Sequence, residues 1–267
     1  MRINSPIDIL KLLDSSNCGK CGRRTCLAFA SAVFKGEATL EECPRLDDET
    51  IAEYGSMESS YISAERLSDI AMEELKSEVA STDLASAAER LGADYADGKL
   101  TIKVLGKDVS VDDKGNIITE VHVNRWMAIP VYTYIIHGAG KPPSGEWMTF
   151  RELDDGENLY PLFEQRCEKP LKKVADTYTG LFEDMLHIFS GKQMDYHYYA
   201  DISILLHPLP LVPIMICYSE PEDEVESSLA IFFDSTVKEN LGLGGAFNLA
   251  TGLTMMFEKI AIRHGHR

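Results

Sequence analysis

The spacing of apolar residues shifts from helical to alternating near residue 100 of this 267-residue chain. Ile7, Leu10 and Leu13 recur at helical spacing behind Ser5-Pro6-Ile7-Asp8. That tetrapeptide reads as a capping box with proline at the first helical position, so a short helix is expected there. Leu27 to Phe34 is a second helical run, ended by Gly36, and the acidic stretch from Arg45 to Thr50 predicts the start of another helix. Residues 60–91 are helix-prone. Ile62, Leu67, Ile70, Leu75 and Val79 share one face, Ser81-Thr82-Asp83 marks a break and a new N-cap, and Gly92 closes the second helix.

The period then falls to two. Leu100, Ile102 and Val104 alternate with polar residues, as do Val109 and Val111, with turn residues at Leu105-Gly106-Lys107 and from Asp112 to Asn116. This predicts an antiparallel meander. Trp126 to His137 is apolar and is read as helix, and Gly138 to Gly145 as a loop. Pro161 to Ser190 is expected to be helical, with Phe163, Leu171, Val174, Leu181 and Met185 turned inward. Ile202–Leu206, Val212–Tyr218 and Leu229–Phe233 read as buried strands, and Gly245 to Ile262 as a closing helix. His207 to Pro213 is expected to be a rigid, proline-shaped loop bracketing an edge strand. The expected fold class is α+β, with a mostly antiparallel sheet and a C-terminal helix.

Charge sharpens this division. The chain carries 26 Lys+Arg against 43 Asp+Glu, a formal net charge of −17, and a surface this acidic repels phosphate, which excludes nucleic acid as a main ligand. Residues 1–45, however, hold seven basic and five acidic residues, so the acidity belongs to the rest. The first residues lack the uninterrupted apolar core of a signal peptide, because Asp8, Lys11 and Asp14 break it. No apolar run reaches membrane-spanning length, so no membrane span and a cytoplasmic location are expected.

In a reducing compartment, clustered cysteines read as metal ligands. Cys18, Cys21, Cys26 and Cys43 follow the spacing C-x2-C-x4-C-x16-C, with Pro44 after the last, while Cys167 and Cys217 stand apart and read as small buried hydrophobes. Three close thiolates and a distant fourth suit one [4Fe–4S] cluster. Gly19 and Gly22 allow tight turns, Cys26 opens a helix, and Lys20, Arg23 and Arg24 would offset the cluster's negative charge. Leu27, Phe29 and Phe34 are expected to form an apolar shell around it. The alternatives are a structural zinc site, although zinc sites usually pair two knuckles and the second is missing here, or four independent structural cysteines.

The stretch Cys18-Gly19-Lys20-Cys21-Gly22, Thr25-Cys26-Leu27-Ala28-Phe29-Ala30 and Cys43-Pro44 resembles the N-terminal [4Fe–4S] module of the corrinoid iron–sulfur protein large subunit, found also in RnfB-type ferredoxin subunits. The resemblance implies that Cys18, Cys21, Cys26 and Cys43 are the cluster ligands. The corrinoid-binding barrel of that subunit has no counterpart in the chain. From Leu84 to Ile260 the chain is similar to a second family, the domain of unknown function numbered 3786. That similarity rests on Leu91-Gly92-Ala93-Asp94-Tyr95, Leu105-Gly106-Lys107-Asp108-Val109, Gly145 to Leu153, Ala200-Asp201 and Pro208 to Pro213. The expected organisation is a cluster module at 1–58, a helical connector at 59–83 and an α+β domain at 84–267. The implied function is single-electron transfer to or from a redox or corrinoid protein partner in the one-carbon metabolism of an anaerobe, and the acidity of the larger part predicts a partner with a basic docking surface.

Other residues could carry chemistry. His197 and Asp201, within Asp195-Tyr196-His197-Tyr198-Tyr199-Ala200-Asp201, could form an acid/base pair, which would make the protein an enzyme with a cluster-fed site. The blander reading is a packed tyrosine cluster. Trp147 and Arg151 could face a planar or anionic ligand, though a buried Trp beside an Arg–Glu pair is the simpler expectation. Gly242-Leu243-Gly244-Gly245 could seat a phosphate at a helix start, but matches no phosphate-binding motif and reads as a tight turn. The run from Glu220 to Glu226 is a solvated loop or a docking element, and His264-Gly265-His266-Arg267 a frayed end. A structural metal scaffold without redox activity is the remaining alternative.

Overall fold

A computed structural model describes residues 5–55, 64–120, 123–178, 180–194, 200–223 and 225–264, with side chains described from residue 69 in the helix that begins at Ala64 and to residue 263 in the last. The chain divides into two compact units, Met1–Ala71 and Met72–Arg267.

The first unit holds α1 (Pro6–Leu10), α2 (Cys26–Phe34), a 3-10 turn at Leu40–Glu42 and α3 (Asp48–Tyr54). Ile9, Leu13, Phe29, Ala30, Ala32, Phe34, Ala38, Leu40 and Cys43 form its core. Helix α2 ends as its sequence predicts. Gly36, at φ +72°, donates to the Val33 carbonyl while the Glu37 N–H reaches back to Ala32. The expected capping box on α1 is not formed. The Ser5 hydroxyl bonds the Asp8 carboxylate at 3.0 Å and caps no backbone N–H.

Helix α4 (Ala64–Ala80) runs across the division, and its Met72, Leu75 and Val79 pack into the core of the second unit. Helix α5 (Leu84–Leu91) begins at the predicted N-cap: the Asp83 carboxylate accepts from Ala85 and Ser86 N–H, and left-handed Gly92 closes it. A four-stranded antiparallel meander follows: β1 (Asp94–Ala96), β2 (Lys99–Val104), β3 (Lys107–Asp112) and β4 (Ile117–Ile118). Its hairpins turn on Asp97-Gly98 and Leu105-Gly106, with positive φ at both residues of each pair, the geometry that matches strand twist. Helix α6 (Arg125–His137) is capped by Asn124 at its start. At its end the Arg90 guanidinium donates to the Ile135 carbonyl at 2.7 Å and to that of Gly138.

The second sheet has the order β5-β9-β8-β7-β6, antiparallel throughout. Its strands are β5 (Trp147–Thr149), β6 (Lys192–Gln193), β7 (Ile202–Leu209), β8 (Val212–Ser219) and β9 (Ser228–Asp234). Ile204, Ile216 and Ile231 stand opposite one another across three strands, as do Leu206, Ile214 and Phe233, and both rows lie in the main core. The remaining helices are α7 (Gly156–Phe163), α8 (Lys169–Thr177), α9 (Leu181–His187), α10 (Val237–Asn240) and α11 (Gly242–His264). Phe150 and Phe163 stack with centroids 4.1 Å apart, edge-on to Phe233 and Phe247.

Two expectations change here. The helix predicted over 161–190 starts earlier, at Gly156, and is divided into α8, which ends at Thr177, and α9, which begins at Leu181. It also widens into a π-turn at Glu164–Glu168, just before Pro170, whose ring cannot accommodate the regular bond to the carbonyl four residues back. The proline-rich segment is no edge loop. Pro208 lies in β7 and Pro213 in the buried central strand β8, where the pairing register shifts between Leu206 and Leu209. The shift leaves Pro208 and Pro213 unpaired in the ladder between β7 and β8, where no N–H is required, and the His207 carbonyl accepts from the Leu105 N–H of the meander at 3.2 Å.

Asp234, 1% exposed, organises the loop that follows α6. Its carboxylate accepts from the N–H and hydroxyl of Ser144, the Gly145 N–H, and the N–H and hydroxyl of Thr236, at 2.7–3.1 Å. Burial pushes its pKa up, and these donors outweigh it, so the group sits below the ordinary carboxylate range. Asp234→Ala is expected to cost about 2–4 kcal/mol in denaturant unfolding, because buried donors lose their acceptor. The contribution is present above the unfolded carboxylate pKa of about 4 and is lost as pH falls below it, so the gap between native and variant should narrow in acid.

Candidate functional site

Each cysteine of the first unit is placed by identifiable contacts. Thr25 is the N-cap of α2, its hydroxyl accepting from the Ala28 N–H at 3.1 Å, and this puts Cys26 at the first helical position. Asn17 then clips the loop to the helix. Its side-chain oxygen accepts from the Cys26 N–H at 2.8 Å, and its own N–H points at the Cys26 sulfur at 3.3 Å. Because Asn17 precedes Cys18, the clip holds the first ligand position against the third. Gly19 and Gly22 have φ of +69° and +77°, and Asn17 is at +51°, so the loop turns through left-handed conformations that N–H groups can use to face a sulfur. A hydrogen bond from the Lys20 N–H, reinforced by Ser16, holds the exposed Cys18 thiol below its ordinary range.

Cys43 follows the 3-10 turn, where its N–H bonds the Leu40 carbonyl, and it is buried in the same small core against which Cys21 and Cys26 pack. The neighbouring Arg45 is tied to the start of the loop, its guanidinium meeting Asp14 at 2.8 Å. The Ser16 N–H and then Arg45 hold Asp14 at about 2. Asp14, Asn17 and Arg45 were not among the candidates drawn from the sequence. Asn17 and Arg45 lie close to cysteines, but neither residue type signals a role from its position alone.

The four thiols are free and range from exposed Cys18 to buried Cys43. Their chemistry fits an iron–sulfur cluster: a set of four sulfur donors, three of them at one apolar core, with N–H groups directed at two sulfurs. Among the described residues, no three Cys, His, Asp or Glu side chains converge closely enough to hold an ion between them, so the fit lies in donor type and supporting contacts. The expected apolar shell is partly corrected. Phe29 and Phe34 are buried, but Leu27, in the first turn of α2, is 49% exposed.

The candidates in the second unit are placed differently. Cys167 and Cys217 are buried, and burial pushes Cys167 up to about 12 and raises Cys217, which leaves both inert. His197 lies outside the described residues. Asp201 is exposed and its carboxylate accepts from the Glu220 N–H at 2.8 Å, at the start of the acidic loop. Arg151 stacks over the Tyr160 ring at 4.1 Å, and its neighbour Glu152 bonds Thr149. Gly242 opens α11 at φ +73°. Cys18, Cys21, Cys26 and Cys43 are therefore the set that shares one local structure. Asn17→Ala removes the side-chain bond to the Cys26 N–H, worth about 1 kcal/mol, so iron should be lost to a chelator about fivefold faster than from the native protein.

Comparison with known proteins agrees with this division. Residues 13–45 match a family model for an Fe-S cluster region. Over a short N-terminal stretch the chain is similar to gamma subunits of the acetyl-CoA decarbonylase/synthase complex. That of Methanopyrus kandleri is 47% identical over 47 residues, 18% of this chain and 10% of the relative. That of Methanosarcina acetivorans is 46% identical over 46 residues, 17% and 10% of the two chains. That of Methanocaldococcus jannaschii is 49% identical over 43 residues, 16% and 9%. The match thus spans about a tenth of these relatives. No solved structure matches the chain, and no helix among the described residues is long and apolar enough to cross a membrane. Residues 83–256, most of the chain, match the model for Domain of unknown function (DUF3786), and the chain belongs to that family.

Proposed function

We propose that Cys18, Cys21, Cys26 and Cys43 hold one [4Fe–4S] cluster and that the protein passes single electrons to or from a partner in anaerobic one-carbon or corrinoid metabolism. A bound cluster would supply one-electron redox chemistry at a potential set by its hydrogen bonds and exposure. The residues of the chain do the rest. The four thiolates bind, Asn17 orients Cys26, and the Lys20 N–H stabilises the thiolate of Cys18. Phe29, Ala30 and Phe34 keep water from the side that Cys43 occupies. Exposed Cys18 leaves the opposite side open, as transfer to a separate protein requires.

The observation that carries the reading is the sulfur set itself, four thiols at one small unit with N–H donors directed at two of them. The metabolic setting rests on the names of the relatives, which are subunits of an acetyl-CoA decarbonylase/synthase complex. The earlier domain division, 1–58, 59–83 and 84–267, is retained as the working organisation of module, connector and large domain.

Anaerobic reconstitution should give about four iron and four sulfide per chain. Cys43→Ser should retain less than about half of that iron, and Cys217→Ala should retain all of it, because a single lost ligand weakens a four-sulfur site and a buried distant thiol does not touch it. Zinc on the four thiols without iron overturns the reading.

A further inference from the structure

We propose that Lys20, Arg23, Arg24 and Leu27 form the docking face for an acidic one-electron carrier protein that reduces the cluster. The proposal rests on the reading of Cys18, Cys21, Cys26 and Cys43 as the cluster site and names the partner chemistry of that site.

All four residues fall within the stretch that carries three of the thiols, and all are exposed. Leu27 is 49% exposed while Phe29 and Ala30 of the same helix are buried, so about half of its apolar surface is open to a partner. Lys20, Arg23 and Arg24 meet no carboxylate among the described residues, whereas Lys11 and Arg45 of the same unit are paired with Asp8 and Asp14. Lys20, Arg23 and Arg24, within six residues of exposed Cys18 in the sequence, locally reverse the sign of a chain whose net charge is −17. Charges are screened over about 8 Å at physiological ionic strength, so a partner approaching Cys18 responds to the charges within that reach of it. A small apolar contact within a charged rim suits a weak, transient redox encounter, with charge setting the on-rate. A second copy of this face would set like charges against each other, and so would a basic partner. An acidic carrier is the occupant that complements it.

The step is simple in its balance. One electron leaves the reduced centre of the carrier and enters the oxidised cluster, the carrier is oxidised by one electron, and no bond is made or broken.

The test is stopped-flow reduction of the full-length, iron-loaded protein by a reduced acidic ferredoxin. The second-order rate of the native protein should fall about tenfold or more between low and high salt. Charge reversal, Lys20→Glu with Arg23→Glu and Arg24→Glu, should lower the low-salt rate about tenfold or more and make it rise with salt. The neutral variant Lys20→Gln with Arg23→Gln and Arg24→Gln should fall between and carries the comparison if the reversed protein does not retain iron. Leu27→Ala should slow the reaction and leave its salt dependence intact. A native rate that is flat or rises with salt, variants within about twofold of native, or faster reduction by a basic c-type cytochrome overturns the docking proposal. Reduced methyl viologen separates the two layers. A native cluster that viologen cannot reduce overturns the redox reading itself, and one that viologen reduces while the ferredoxin rate ignores charge overturns the docking face alone.

Discussion

The two hydrogen bonds between Asn17 and Cys26 are the interaction on which the first unit turns. A loop of this length, rich in left-handed residues, has no helix or strand of its own to hold its sulfurs in place. The bonds tie the residue before Cys18 to Cys26 at the start of α2. The Asp14–Arg45 pair draws the segment after Cys43 toward the start of the same loop. The small core then receives Cys21, Cys26 and Cys43 on one apolar side. Sulfur ligands carry charge when they bind metal, and the loop answers it with N–H groups at close range and cations around the rim. A cluster held this way is sheltered on one side and reachable on the other.

The second unit answers a different demand, closing loops over a buried sheet without leaving polar groups unpaired. Two buried carboxylates show how the number of donors decides the outcome. Asp234 meets donors from Ser144, Gly145 and Thr236 and stays below the ordinary carboxylate range, whereas Glu168, bonded by Tyr160 and the Ile231 N–H, is pushed up by burial. The first pins the loop after α6 and the second ties the π-turn to β9. Glu168 adjoins Cys167 in the chain, but Cys167 and Cys217 are too deeply buried to act as nucleophiles. Residues 1–45 hold more basic than acidic residues, and the acidic excess of the chain lies after them.

Much of this was legible in the sequence where a local rule has one physical cause. Asp83 and Gly92 marked both ends of α5, Gly36 marked the end of α2, and the alternation at Leu100, Ile102, Val109 and Val111 gave β2 and β3. The cysteine spacing pointed to an iron–sulfur region, with zinc as an alternative, and the family match over residues 13–45 agrees with the former. The missing strand β1 had a signal in Asp97-Gly98, a turn pair that demands a second strand before it. The prolines at 208 and 213 suggested a loop, because a strand interior excludes proline unless a register shift removes the need for its N–H, and a shift depends on partners far away in sequence. Ser5 was misread for a similar reason: its hydroxyl had two acceptable local partners, and Asp8 won over the backbone. Asn17 could not be found by pattern at all, since its role exists only once Cys26 is folded against it.

The central claim is that the four thiols carry a redox-active cluster, and a potentiometric EPR titration of the anaerobically reconstituted protein tests it most directly. The account predicts an S = 1/2 signal of about one spin per chain that grows in with a one-electron dependence on potential, as a single reduced cubane gives. An EPR-silent protein that binds zinc at the same four cysteines, or iron that takes up no electron at any accessible potential, would contradict it.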